Sequence, residues 1–181
     1  MKKLIAILIT GILSAQETEF KLTPKDGFTD YVVIQKDGQT AAQLYQKTLD
    51  WANRTYSNPE KAIIGKIENE YIRILGAKPN FLCVHAIGIP TCQDSRYEIE
   101  ISFKDGKYKF DVTKLELYMA PSQLTSGGWS ETPMDFAGIY NKKGEIKPAF
   151  RDYPTALPAY FNAVNRSLSG YISGTELKND W

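Results

Sequence analysis

The fold of this chain is decided by the segment RYEIEISFKDGKYKFDV at residues 96–112. On each side of Asp105-Gly106, apolar and polar residues alternate with the period of a half-buried strand. An Asp-Gly pair between two such runs favours a two-residue type I′ turn. The segment therefore predicts an antiparallel hairpin with a fixed register, because a slip of one residue would turn every apolar side chain towards water.

The predicted hairpin separates its apolar residues from its polar residues. On the apolar side the facing pairs are Phe103 with Tyr108, Ile101 with Phe110, and Ile99 with Val112. On the polar side they are Ser102 with Lys109, Glu100 with Asp111, and Glu98 with Thr113. Leu115 and Leu117 are out of phase with Val112, so we expect a bulge near Thr113-Lys114.

Upstream of the hairpin, the sequence predicts a strand, a capped helix and two further strands. β-Forming residues dominate residues 28–35, which indicates the first strand. Thr40 and Gln43 have the spacing of a capping box and open a run of apolar residues at helical spacing. Two short apolar runs, at 62–67 and 71–75, predict a pair of strands joined by a tight turn.

Downstream of the hairpin, a long connection and a last helix are predicted. Residues 119–153 are long for a connection inside a compact domain, and we expect an aromatic loop there. Within this loop, residues 140–146 suit a small hairpin in which Gly144 supplies a positive φ. Apolar residues at helical spacing over 157–168 predict a helix that ends at Gly170.

The predicted elements follow in the order strand, helix, four or more antiparallel strands, helix. This order is typical of an α+β domain in which two helices cover one face of an antiparallel sheet. Residues 28–175, with the loop at 119–153 included, are assigned to this one domain. A polar lead at 16–27 precedes the domain, and a C-terminal tail at 176–181 follows it.

The first fifteen residues, MKKLIAILITGILSA, have the pattern of a secretory signal peptide. Lys2 and Lys3 precede an apolar run at 4–13, which is shorter than the roughly 20 residues that a membrane span requires. Small side chains at the end of the segment favour cleavage after Ala15. We therefore expect a periplasmic or secreted protein without a membrane span.

Three stretches resemble a known family: TAAQLYQKTLDWANRTY from Thr40, AIIGKI from Ala62, and FKDGKYKFDV from Phe103. They are similar to a domain of unknown function with a TBP-like fold that occurs in small secreted bacterial proteins. The resemblance spans residues 28–118. It implies a TBP-like architecture and brings no known catalytic residues with it.

The DNA binding that the fold name evokes does not suit this composition. Removal of Lys2 and Lys3 with the signal peptide leaves 20 basic and 21 acidic residues, a net charge of −1. Binding to a phosphate backbone needs a basic surface, whereas the polar side of the hairpin carries Glu98, Glu100 and Asp111. We therefore predict no nucleic-acid partner.

Cys83 and Cys92 are the only two cysteines, and in an exported chain they favour a disulfide. We expect this bridge to close a short loop around Pro90. Two free thiols are the second hypothesis. A third is a zinc site that adds His85 and Asp94, but its spacing matches no common motif, so no metal or cofactor is predicted.

Catalytic motifs are not found in this sequence, and we expect a protein that is not an enzyme. His85 is the sole histidine and lies in an apolar run, where a structural histidine bonded to a backbone group is expected. No nucleophile elbow, HExxH, P-loop or dinucleotide fingerprint occurs. A small hydrolase or metal-binding protein that uses Cys83, His85 and Cys92 is the least favoured alternative.

The preferred function is a binding module whose contact surface lies in the aromatic loop. The candidate surface residues are Trp129, Tyr140, Phe150 and Tyr153, with Trp129 on a flexible Gly-Gly approach. The partner would be a protein or a small molecule outside the cytoplasm. Two alternatives stay open: these aromatics form a packing cluster on the sheet, or the protein is a structural component of an envelope assembly.

Overall fold

The computed structural model describes residues 18–86, 89–122 and 126–175. The predicted signal peptide and the tail at 176–181 lie outside the described residues. The strands are β1 (Leu22–Thr23), β2 (Gly27–Phe28), β3 (Tyr31–Gln35), β4 (Ile63–Ile67), β5 (Tyr71–Ala86), β6 (Ile89–Lys104), β7 (Lys107–Met119) and β8 (Gly128–Glu131). The helices are α1 (Ala41–Thr55), α2 (Pro59–Ala62) and α3 (Tyr153–Ser173), with 3-10 turns at Ala137–Ile139 and Pro148–Phe150.

Within these ranges, six strands form an antiparallel sheet in the order β3-β7-β6-β5-β4, and β8 pairs with the far end of β7. Helices α1 and α3 pack on one face of this sheet, which we call the inner face. The opposite face, the outer face, carries the polar residues of the central strands. The predicted α+β architecture, an antiparallel sheet with two helices on one face, is therefore confirmed.

The central hairpin has the predicted register over its apolar pairs. Ile101 lies opposite Phe110, and both side chains are fully buried. The bulge is present, but Glu98 lies opposite Lys114, so the prediction that it faces Thr113 was wrong. Thr113 is the extra residue, and its insertion returns the following leucines to the inner face.

Helix α1 begins as predicted from its capping box. The Thr40 hydroxyl accepts from the Gln43 amide, and the Gln43 side chain accepts from the Thr40 amide. The Asp105 carboxylate, in the turn of the central hairpin, also accepts from the Ala41 amide at 2.8 Å. The turn that fixes the hairpin thus also anchors the start of α1 to the sheet.

Strand β5 continues far beyond its predicted end at residue 75, and β6 begins well before its predicted start at residue 96. Both have 16 residues, and past an irregularity between Lys78 and Leu82 they pair again up to Ala86 and Ile89. We call this extension, residues 82–86 and 89–93, the β arm. Cys83 and Cys92 face each other in it and form the predicted disulfide. The expected short loop around Pro90 was wrong, because the bridge joins two paired strands.

The segment 119–153 has more structure than the predicted loop. It holds β8, the two 3-10 turns and the predicted small hairpin, in which Tyr140 bridges to Ile146 and Gly144 has a φ of 77°. Helix α3 then runs past Gly170 to a left-handed cap at Gly174, so the predicted helix end was too early by about one turn.

The polar lead is also part of the folded domain. Phe20 is buried and stacks on Phe28 with ring centroids 5.1 Å apart. The Phe20 backbone exchanges two hydrogen bonds with the side-chain amide of Asn162 in α3. The domain therefore begins before the predicted start at residue 28, because the apolar side chain of Phe20 is long enough to reach the core.

Candidate functional site: an apolar cleft at one end of the sheet

Trp129 lies on the outer face, in β8, opposite Tyr118 of β7. The two rings meet edge to face at 5.4 Å, and they are 41% and 39% exposed. The Arg96 guanidinium covers the Trp129 ring at 4.7 Å. The predicted flexible approach is wrong, since Gly128 is already a strand residue; Trp129 is nevertheless one of the exposed large apolar side chains.

The other three predicted surface aromatics are more deeply placed. Tyr153 is only 3% exposed and packs edge to face with Phe150, which is half-buried. Tyr140 is half-buried against the core, and its hydroxyl has no hydrogen-bond partner among the described residues. The four residues therefore do not form one surface: Trp129 faces outward, and the other three pack against the domain.

A concave apolar cleft of about 500 Å³ lies where the β arm, β7 and the segment before α3 meet. Its apolar wall comes from four separate parts of the chain and consists of Val84, Leu117, Met119, Phe136, Ile139, Phe150 and the Tyr153 ring. Its polar rim consists of Gln93, Ser130, Thr132 and Asp135. We refer to this feature as the apolar cleft.

The β arm forms one side of the cleft and is fastened to α3 through His85. The side chain of His85 is about 10% exposed; its Nε2 contacts the Asp152 carboxylate at 2.5 Å, and Arg151 donates to its Nδ1 at 2.8 Å. This geometry assigns the ring proton to Nε2. The expected backbone partner was wrong, because the extended arm brings His85 to charged side chains at the start of α3 instead.

The same geometry bears on the catalytic and metal alternatives. Both ring nitrogens of His85 are engaged, so neither is available to activate a nucleophile. The thiols of Cys83 and Cys92 are joined and cannot bind a metal in this state. Over residues 18–86, 89–122 and 126–175, no three His, Cys, Asp or Glu side chains gather in a way that could hold a metal ion.

The outer face carries ion pairs, some between neighbouring strands and some within one strand. Arg73 bonds Glu100 at 2.8 Å, and Lys109 bonds Asp111 at 2.9 Å. Arg96 bonds Glu116 at 2.5 Å, which lowers the pKa of that carboxyl and keeps it ionised. Arg73, Arg96 and Lys109 are therefore each neutralised by a carboxylate of the same face.

Sequence reasoning missed most of the cleft. Val84 falls inside the loop predicted between Cys83 and Cys92, and neither Gln93 nor Phe136 is among the predicted surface residues. The apolar pair Phe136 and Ile139, spaced three residues apart beside glycine, was the one available signal.

No helix in the described part of the chain combines the length and the apolar character needed to cross a membrane.

The chain is similar to one described family and to two solved structures. The family model for a domain of unknown function (DUF4468) with TBP-like fold matches residues 31–118. A DUF4468 family protein from Bacteroides ovatus superposes with a TM-score of 0.61 at 13% identity, covering 82% of this chain and 87% of that one. A TBP-like protein from Parabacteroides distasonis superposes with a TM-score of 0.56 at 9% identity, covering 81% and 92%.

No curated protein matches the sequence. At these identities the two solved structures show a shared fold and carry no statement about activity. The family match runs from the start of β3 to Tyr118 in β7 and thus covers the main strands of the sheet together with α1 and α2. Through residues 31–118 this chain therefore belongs to the DUF4468 family, whose domain has a TBP-like fold and no known function.

Proposed function

We propose that this protein is a non-catalytic binding module that acts outside the cytoplasm and accepts an apolar group of its ligand in the apolar cleft. The observation that carries the proposal is the cleft itself. Its volume of about 500 Å³ lies within the range of small-molecule sites, roughly 300–1,000 Å³. An apolar wall with a few polar groups at the rim is also the usual composition of such sites.

The surface around the cleft supports the same function. Met119, which lines the cleft, is 48% exposed, and Tyr118 and Trp129 expose further apolar surface on the outer face at the same end of β7. Aromatic residues and methionine are enriched at protein interfaces. A ligand larger than the cleft would thus find further apolar contacts at this end of the sheet.

Two observations support a location outside the cytoplasm, and a third supports a role without catalysis. The N-terminal pattern is typical of a signal peptide, and the Cys83–Cys92 disulfide is compatible with an oxidising compartment. Beside the cleft, the sole histidine of the chain holds the β arm in place with both ring nitrogens. Its role in this proposal is to position the arm.

The proposal is tested with a variant that fills the cleft. Gly138 lines it, and a Cβ at this position would meet no atom within 4 Å, so Gly138→Leu adds apolar volume to the lining at a position where the Cβ has open space. The probe is anilinonaphthalene sulfonate, whose emission rises when it binds apolar surface. We expect saturable binding to the folded wild type and binding weakened several-fold in Gly138→Leu.

The matched control is Lys143→Leu, which adds the same side chain at an exposed position in the small hairpin. It should bind the dye as the wild type does. Equal dye binding by Gly138→Leu and the wild type, with both folded, would contradict the proposal. A wild type that binds no dye would contradict it as well.

A further inference from the structure

A second hollow, of about 440 Å³, opens between α1, α3 and the inner face of β5 and β6. It shares no lining residue with the apolar cleft. Trp51 and Tyr97 are buried and form its floor, while Tyr56 and Tyr160 are half-buried and form its walls. Its rim consists of the small exposed residues Thr55, Ser57, Ala77, Ala163 and Ser167. We call this feature the tyrosine hollow.

Hydroxyl groups converge in the tyrosine hollow. The hydroxyls of Tyr97 and Tyr160 lie 2.8 Å apart, and Tyr56 interacts with the same pair. The Trp51 indole donates to the Ser167 hydroxyl at 3.0 Å, which leaves the hydrogen of Ser167 free to donate in turn. Every described side chain that lines the hollow is uncharged.

These phenols remain protonated at physiological pH. Burial raises the pKa of Tyr56 to about 12 and raises the pKa values of Tyr97 and Tyr160 above their usual range. Each hydroxyl can therefore both donate and accept a hydrogen bond. The aromatic rings present flat apolar faces beside these hydroxyls.

Gly76 lies directly against the Tyr97 ring at the floor of the hollow. A Cβ at this position would lie 2.3 Å from the Tyr97 ring, so only glycine lets the ring lie against strand β5. Glycine inside a strand commonly marks such a close approach. The neighbouring Lys78 lies 5.9 Å from the Tyr160 ring, outside the lining of the hollow.

We propose that the tyrosine hollow is a binding site for a neutral carbohydrate. A sugar has apolar C–H faces that pack on aromatic rings and hydroxyls that pair with the hydroxyls of the wall. An apolar ligand would leave unused the hydrogen-bonding capacity that these hydroxyls keep beyond their bonds to one another, and it would remove them from water. A charged ligand would lose its hydration without an opposite charge in the lining. This site is independent of the apolar cleft.

The experiment titrates the folded protein with a panel of neutral mono- and disaccharides, including maltose and cellobiose, and with glucuronate as the charged comparison. Binding is followed by calorimetry and by tryptophan fluorescence, to which Trp51 at the floor of the hollow contributes. We expect saturable binding of at least one neutral sugar and weaker binding of glucuronate. A panel in which no neutral sugar binds, or in which glucuronate binds as tightly, would overturn the proposal.

Two variants locate the sugar, each with a control. Tyr160→Phe removes one hydroxyl and should weaken binding about three- to tenfold, whereas Tyr171→Phe, elsewhere on α3, should not change it. Ala163→Trp fills the hollow from its exposed rim and should abolish binding, whereas Ala159→Trp should not. If Ala163→Trp still binds the sugar, the sugar binds elsewhere and the proposed site is refuted. The same conclusion follows if the control variants lose sugar binding to the same extent as Tyr160→Phe and Ala163→Trp.

Discussion

Trp51 and Trp129 show how differently one residue type is used in this domain. Trp51, on α1, is 1% exposed, and its indole is bonded to α3. Trp129 is 41% exposed and contacts Tyr118 and Arg96 on the outer face. The first indole holds the two helices together, and the second is available to a partner.

This difference predicts unequal effects of two alanine substitutions. Trp51→Ala should lower the free energy of unfolding by about 3–5 kcal/mol, because it leaves a cavity in the core. Trp129→Ala should lower it by about 1 kcal/mol or less, because it loses mainly a surface cation–π contact. Urea denaturation of both variants checks this. A larger loss for Trp129→Ala would assign that residue to packing.

Phe110 is the residue on which the central hairpin most depends. Its side chain is fully buried opposite Ile101, so Phe110→Asp should prevent folding. The change forfeits roughly 1.5–3 kcal/mol of apolar burial and adds an unpaired buried carboxylate. Tyr118→Asp is the control, since it makes the same kind of change at an exposed position of the same strand. If Phe110→Asp unfolds cooperatively on heating as the wild type does, the hairpin register is wrong.

At the scale of elements, the β arm is the part that shapes the cleft. The disulfide joins its two strands, and His85 fastens it to Asp152 at the start of α3. The Asp152 side chain makes no capping bond to the α3 backbone. Its removal therefore affects the contact between arm and helix and leaves the helix start intact.

Asp152→Ala should lower the free energy of unfolding by about 1–2 kcal/mol, which is modest because the carboxylate is half exposed. Hydrogen exchange of the arm amides should also become faster than in the wild type. Asp50→Ala, which removes only an exposed bond to Gln46, is the control and should do neither. If the β arm amides of Asp152→Ala exchange hydrogen at the wild-type rate, His85 does not fasten the arm to α3.

The elements that sequence predicted are those whose signals are local. The turn at Asp105-Gly106, the alternation around it and the Thr40 cap all act within a few residues, and the structure has each of them. The β arm was missed, because residues 76–94 do not alternate and their pairing continues past an irregularity. The apolar cleft was missed because its walls come from distant parts of the chain and meet only in the folded protein.

At the scale of the whole molecule, the sheet and its two helices are the shared architecture, and the cleft and the hollow are features of this chain's own side chains. The two solved structures share the fold at 9–13% identity, so the arrangement of strands is retained while most residues differ. A fold that tolerates such change does not fix a function. The binding sites must therefore be tested on this protein.

Export is a further prediction at this scale. Protein recovered from the producing cell should lack residues 1–15 and begin at Gln16, as measured by intact mass. The same mass should show the loss of two hydrogens in the disulfide between Cys83 and Cys92. Full-length protein with free thiols in the cytoplasm would contradict the proposed location.

The central claim, that the apolar cleft is the binding site, is tested most directly by an NMR titration. The isotope-labelled protein is titrated with octanol, a small neutral apolar probe, and its amide shifts are mapped onto the structure. We predict saturable changes that centre on Leu117, Gly138 and Ile139, which line the cleft. Changes that centre on the outer face, or the absence of saturable changes, would contradict the account.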